Sequence, residues 1–172
     1  MRKEVGFLIK GTAVYALAYL VSGGLCYQLI TKQFYVGDDP IFVAFLRSEA
    51  NQAEWAHVNL WMVPAVVLRG ALIAAVLLPF VETLRKMAFA KRTVRVFALM
   101  FVLTHLAAAA PSPSNIEGLV YMKPQLIGAS PFVLTQPEMI LQCLLFAIGL
   151  SWAIRFRGFD RDRAAETTRF EQ

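Results

Sequence analysis

Charge is scarce in this chain. Asp, Glu, Lys and Arg together make up 17% of 172 residues, against roughly 25% in soluble domains. With 58% hydrophobic residues, it is too poor in charge for the surface of an ordinary water-soluble protein. Residues for metal or redox chemistry are scarce as well. There are two histidines, His57 and His105, and two cysteines, Cys26 and Cys143. Neither cysteine stands in a CxxC or Cys/His spacing, so no metal site and no cofactor is expected. HExxH, GxSxG and Walker sequences are absent, which removes the familiar signatures of zinc hydrolases, serine hydrolases and nucleotide-binding enzymes. The formal charge of +5 does not point to nucleic acid, because the basic residues flank apolar runs instead of forming a patch among aromatics.

Long apolar runs are what the chain does have. A membrane helix needs about 20 mostly apolar residues to cross ~30 Å of hydrocarbon. Four segments fit that reading, at about 5–30, 58–81, 94–110 and 137–154. They lack the alternation of barrel strands. The fold class expected is therefore an all-α membrane protein, a four-helix transmembrane bundle over residues 1–156. The basic start, Arg2 and Lys3, resembles a signal peptide, but the apolar run that follows is long and no A-x-A site closes it. An uncleaved first helix is expected. Cys26 and Cys143 read as small lipid- or core-facing residues, with a disulfide between the first and last helices as the alternative.

The basic residues set an orientation. Thirteen of the 17 Lys/Arg residues lie on one side of the four spans, and three, Lys32, Arg47 and Lys123, lie on the other. Acidic residues divide six and six, so the bias belongs to the cations that the positive-inside rule counts. Both termini are expected in the cytoplasm, with a bacterial inner membrane as the setting. The charged stretch 157–172 reads as a cytoplasmic tail. On the outer side, Ile41, Phe42, Phe45, Leu46 and Trp55 suit a short interfacial helix after Asp38-Asp39-Pro40. The second outer loop is rich in Pro, Gly and Ser yet carries Ile116, Leu119, Val120, Tyr121, Leu126, Phe132 and Val133, so it is expected to pack back on the bundle as a lid or re-entrant cap.

Several polar residues inside these runs need a reason. Arg69 falls near mid-bilayer, where an arginine costs about 2.5–3.5 kcal/mol on insertion scales. Two readings stand for it: a structural arginine satisfied by backbone carbonyls or a carboxylate, and a ligand for an anion or headgroup. Glu138, just after Pro137, reads either as a helix N-terminal carboxylate or as a partner for Arg69. Gln142 lies one turn deeper. Glu117, beside Gly118 and Tyr121, is either an exposed loop carboxylate or part of the same cluster. His105 reads as an interhelical hydrogen-bonding residue, with a metal or base role as the alternative. Gly11, Tyr15, Tyr19, Ser22 and Cys26 fall on one face of the first helix, which serves as a packing face or contributes to a site. Trp55 and Trp61 read as interfacial anchors. Together Tyr19, Ser22, Arg69, His105, Glu117, Tyr121, Glu138 and Gln142 form the candidate ligand-binding or buried polar cluster in the outer half.

The stretch PSPSNIEGLVYMKP, with VLRGALIAAVLLPF before it and PEMILQCLLF after it, resembles the pattern of uncharacterised bacterial four-helix inner-membrane proteins. The resemblance covers about the last two-thirds of the chain and implies no activity. It draws attention to Arg69, Gly70, Pro79, Glu117, Gly118, Tyr121, Pro137 and Glu138. Three functions are consistent with the residues. The first is a non-enzymatic structural or accessory component that oligomerises or docks on a membrane complex, with membrane lipids as partners. The second is a transporter or channel subunit for an anion or small solute, with Arg69 selecting. The third is an intramembrane enzyme acting on a lipid-linked substrate at the outer leaflet, with Arg69 on a phosphate and Glu117 or Glu138 exchanging protons with His105.

Overall fold

The computed structural model describes residues 2–38, 40–123 and 129–155, and the tail expected over 157–172 lies outside them. Helix α1, Arg2–Cys26, runs on through a π turn, Tyr27–Thr31, and a 3-10 turn, Lys32–Phe34. Helix α2, Gln52–Leu77, is followed by a 3-10 turn, Leu78–Phe80, and then by α3, Val81–Arg85. Pro79 lies in that turn; with no N–H to donate, it cannot continue the α-helical ladder. Helix α4, Phe89–Phe101, ends in a second π turn, Val102–Leu106. A short α5, Ile116–Tyr121, and a long α6, Ala129–Arg155, complete the order. No strand occurs among the described residues.

Three helical stretches are long and apolar enough to cross a bilayer: Glu4–Phe34, Gln52–Arg85 and Pro131–Ile154. The segment expected as a third span, 94–110, differs from them. Its helix starts at Phe89 and takes in Lys91, Arg92 and Arg95, while its regular α-helical part stops at Phe101. Those cations keep it out of the apolar class.

The helices pack in the order α2, α1, α6, α4, and no comparable packing joins α2 to α4. Each neighbouring pair is antiparallel. On α1 and α2, Gly11 faces Ala74 and Thr12 faces Gly70; on α1 and α6, Val14 faces Gly149 and Gly23 faces Glu138. On α4 and α6, Arg92 meets Ser151 and His105 meets Gln136. The bundle therefore has a hairpin end, at the α3–α4 connection, and a loop end, where the chain crosses between the other helices. Missing side chains set two of the helix distances. A Cβ on Gly11 would lie 2.9 Å from the Cβ of Ala74, and one on Gly149 would lie 2.7 Å from a Val14 methyl. Both are closer than packed atoms come, so these glycines let the backbones approach.

The hairpin half is filled. Phe7, Leu77, Val81, Leu84, Val96, Leu150 and Ile154 are all buried in one apolar core, which Tyr15 and Phe146 extend to mid-helix. Arg92 is buried among them, only 4% exposed. Its Nη2 donates to the Ser151 carbonyl at 2.7 Å and its Nη1 to the Leu84 carbonyl at 3.3 Å. The Leu84 carbonyl lies at the C-terminus of α3, where backbone partial charge is negative and a cation is favoured.

At the loop end, Asn51 caps α2 by accepting from the amides of Ala53 (3.1 Å) and Glu54 (3.3 Å), while Glu54 reaches back to the Ser48 amide at 3.3 Å. The pattern is close to a capping box. The loop before it is held by a Lys32–Glu49 ion pair of 2.9 Å and by rings: Phe42 packs on Phe34 and Tyr35, and Tyr27 stacks on Trp55. Burial pushes the Tyr35 hydroxyl up to about 12, so it stays neutral. The interfacial helix expected here is a single 3-10 turn, Ile41–Ala44, preceded by Pro40. Phe42 is drawn inward, while Phe45 and Leu46 remain exposed. In the second loop, Asn115 does the anchoring. Its Nδ2 donates to the carbonyls of Ala108 and Ala110, and its Oδ1 accepts from Ser112 and Gly118. This part of the loop packs back on the bundle, while Ile116, Leu119, Val120 and Tyr121 of α5 stay exposed.

Candidate functional site

Between α1, α2, α4 and α6, in the loop half, lies a cavity of about 140 Å³. Its polar wall is made by Tyr15, Tyr19, Arg69, Thr104, His105, Glu138 and Gln142. Met100, Met139, Cys143 and Phe146 supply the apolar wall. Five of the residues singled out from sequence, Tyr19, Arg69, His105, Glu138 and Gln142, thus meet at one place. The remaining three do not line it. Ser22 is buried on α1 and donates to the Ala18 carbonyl at 2.8 Å, a bond within its own helix. Glu117 sits in the first turn of α5, where a carboxylate is favoured, and Tyr121 is 70% exposed.

Arg69 reaches the cavity because the next residue, Gly70, lets α2 lie directly on α1. A Cβ at Gly70 would stand 3.1 Å from the Thr12 carbonyl oxygen. The Arg69 guanidinium carbon then lies 5.9 Å from the centre of the Tyr15 ring, within cation–π range. On a helix the Cα–Cβ bond leans toward the N-terminus, and for α2 that is the loop end. Among the described residues no carboxylate comes within 4 Å of Arg69, and the side chain is exposed. The carbonyl-bound structural arginine foreseen at position 69 is found instead at Arg92.

Glu138 is in the third turn of α6, because that helix begins at Ala129. It therefore does not cap the helix N-terminus, the role that Pro137 suggested. Its Oε1 lies 3.6 Å from where a Cβ of Gly23 would stand, which puts the carboxylate against α1. Gln142, one turn further, donates from Nε2 to the Tyr15 hydroxyl at 3.1 Å.

His105 owes its placement to the π turn, which adds a residue to the turn and shifts the face that follows. The ring is buried, with Nε2 3.3 Å from Gln136 Oε1. Gln136 Nε2 donates to the carbonyls of Ser114 (2.9 Å) and Phe132 (3.2 Å), so its amide is oriented and its Oε1 must accept. The hydrogen-bond network thereby assigns the His105 proton to Nε2. Gln136 is the residue that sequence reasoning passed over. With the helix taken to start at 137, it fell in a loop; a start at Ala129 puts it on the helix face below His105. Trp152 on α6 is exposed, and Trp61 is exposed beside His57. Cys26 and Cys143 are both free thiols.

One cation and one carboxylate thus face a small space without pairing to each other. Tyrosine, threonine and amide groups stand around them as hydrogen-bonding partners. Pockets for drug-sized ligands run to roughly 300–1,000 Å³, and this one is well below that. It suits a small polar head more than a whole large ligand. No protein-family model, curated relative or solved structure matches this chain.

Proposed function

We propose that this protein is a four-span inner-membrane protein with both termini in the cytoplasm, and that it is a non-enzymatic component which holds a phosphate-bearing ligand in the loop-half cavity. The reading of topology rests on the basic residues around the hairpin end. In this arrangement α4 is the third span, its cations Lys91, Arg92 and Arg95 marking the cytoplasmic boundary. The loop end then faces outward, and Arg69 leans toward the outer leaflet.

The observation that carries the binding role is Arg69 itself. A guanidinium in a membrane helix needs a compensating partner, and a purely structural arginine would have closed on Glu138 in the same cavity. Among the described residues no carboxylate lies within 4 Å of Arg69, a geometry open to an incoming phosphate, for which the planar guanidinium is well suited. The test is native mass spectrometry of the purified full-length protein titrated with phospholipids. Retention of phospholipid should fall about tenfold in Arg69→Gln and stay unchanged in Arg95→Gln, an exposed cation at the hairpin end. Equal retention by Arg69→Gln and wild type would remove the reading. Orientation is checked separately by a membrane-impermeant maleimide on intact cells, which should label Val120→Cys and not Lys91→Cys.

The intramembrane-enzyme reading has one observation of its own, since Glu138 and His105 both line the cavity that holds Arg69. Turnover of a lipid-linked substrate that is lost in Glu138→Gln while Arg69-dependent binding persists would favour it over simple holding.

A further inference from the structure

We infer that the ligand of this cavity is the headgroup of a zwitterionic phospholipid bearing a primary amine, its phosphate on Arg69 and its ammonium at Glu138, with the acyl chains outside between α2 and α4. The inference rests on the binding role proposed above and names the class of ligand.

Charge complementarity is the first argument. The cavity carries one cation and one carboxylate on opposite walls, Arg69 on α2 against Tyr15 and Glu138 on α6 against Gly23. A simple anion would satisfy Arg69 and leave Glu138 beside an added negative charge, an unfavourable contact away from water. A group with both signs, separated by a short linker, matches both walls at once. An ammonium has three donors; Glu138 accepts one, and Tyr19, which also lines the cavity from α1, carries a hydroxyl as a further acceptor.

Size and access agree. At about 140 Å³ the space holds a headgroup and excludes acyl chains. Those chains have an exit, because α2 and α4 are the neighbouring walls without extensive packing between them. Leu72, one turn from Arg69, and Leu103, next to Thr104, are both about 60% exposed, so apolar side chains stand beside the opening on each helix. Free phosphoethanolamine shares the head chemistry, but it would leave that opening unused.

The experiment compares phosphatidylethanolamine, its N-methyl and N,N-dimethyl derivatives, phosphatidylcholine and phosphatidylglycerol with identical chains. Each is titrated into the purified full-length protein, with free phosphoethanolamine as a competitor, and retention is read by native mass spectrometry. Wild type should prefer the ethanolamine lipid over the glycerol lipid about tenfold, the scale of one charge-assisted hydrogen bond. Retention should decline stepwise as methyl groups remove the ammonium donors. Glu138→Gln should abolish the preference while still retaining phospholipid, and Arg69→Gln should weaken both lipids together. The methylation series needs no protein variant, so it decides the matter even where Glu138→Gln folds poorly. Arg69-dependent retention without amine preference would overturn this inference and leave the binding role standing. Loss of Arg69 dependence would overturn both. Displacement of the lipid by an equal concentration of phosphoethanolamine would overturn the lipid assignment in favour of a soluble ligand.

Discussion

The two halves of the bundle each contain an arginine, and the two are held in opposite ways. At the hairpin end Arg92 is buried in a filled core, and two carbonyls accept from it. In the loop half Arg69 stands at a cavity, in cation–π range of the Tyr15 ring and, among the described residues, with no carboxylate within 4 Å. The same side chain is a fastening in one half and an open binding group in the other. What separates them is what the neighbouring helices bring within reach. Around Arg92, α3 and α6 bring the Leu84 and Ser151 carbonyls to one point. Around Arg69 lies a cavity walled by side chains.

That contrast can be broken by substitution. The largest expected effect is at Arg92→Leu, which removes two charge-assisted hydrogen bonds from a buried site. Each such bond contributes roughly 1.5–3 kcal/mol, so a loss of about 3 kcal/mol is expected, measured by thermal unfolding in detergent. A neutral result would mean that the core, and not the arginine, secures the hairpin end. Next comes Gly11→Ala. Its new methyl would meet the Ala74 Cβ, which cannot swing away, and over-packing of this kind costs about 1–3 kcal/mol. A drop in melting temperature without change in lipid retention would keep this contact on the structural side of the comparison.

The remaining effects are smaller. Gly24, on the same helix, has nothing within 4 Å of the point where a Cβ would stand, so Gly24→Ala should stabilise by about 0.5–1 kcal/mol through helix propensity alone. A destabilised Gly24→Ala would show that this face is covered by a partner. Arg69→Gln should change stability by less than about 0.5 kcal/mol, the smallest effect of the four. Unfolding comparable to that of Arg92→Leu would erase the distinction between the two halves.

Much of the site was legible because membrane physics makes polar residues conspicuous. Arg69, His105, Glu138 and Gln142 stand out in apolar runs, and the face of α1 that begins at Gly11 shows its four-residue spacing directly. Ser22 stands out equally but bonds within its own helix, a choice that its spacing does not reveal. Glu117 and Tyr121 were grouped with the cluster because a loop can reach many places. Asn115 holds their loop so that neither lines the cavity. Arg92 was hidden for the opposite reason, since a cation beside Lys91 at the edge of a span looks like any flanking charge.

By itself the sequence determined that the chain is helical and rich in membrane-length apolar runs, and that one arginine would lie deep within them. Those follow from local composition and from the demand that backbone in lipid satisfy its own hydrogen bonds. Only the tertiary structure decided which arginine is fastened and which stays open, where α6 begins, and that α2 and α4 do not pack extensively on each other. Those depend on which carbonyls, glycines and amides from distant segments arrive at the same point, and no pattern along a single helix records that.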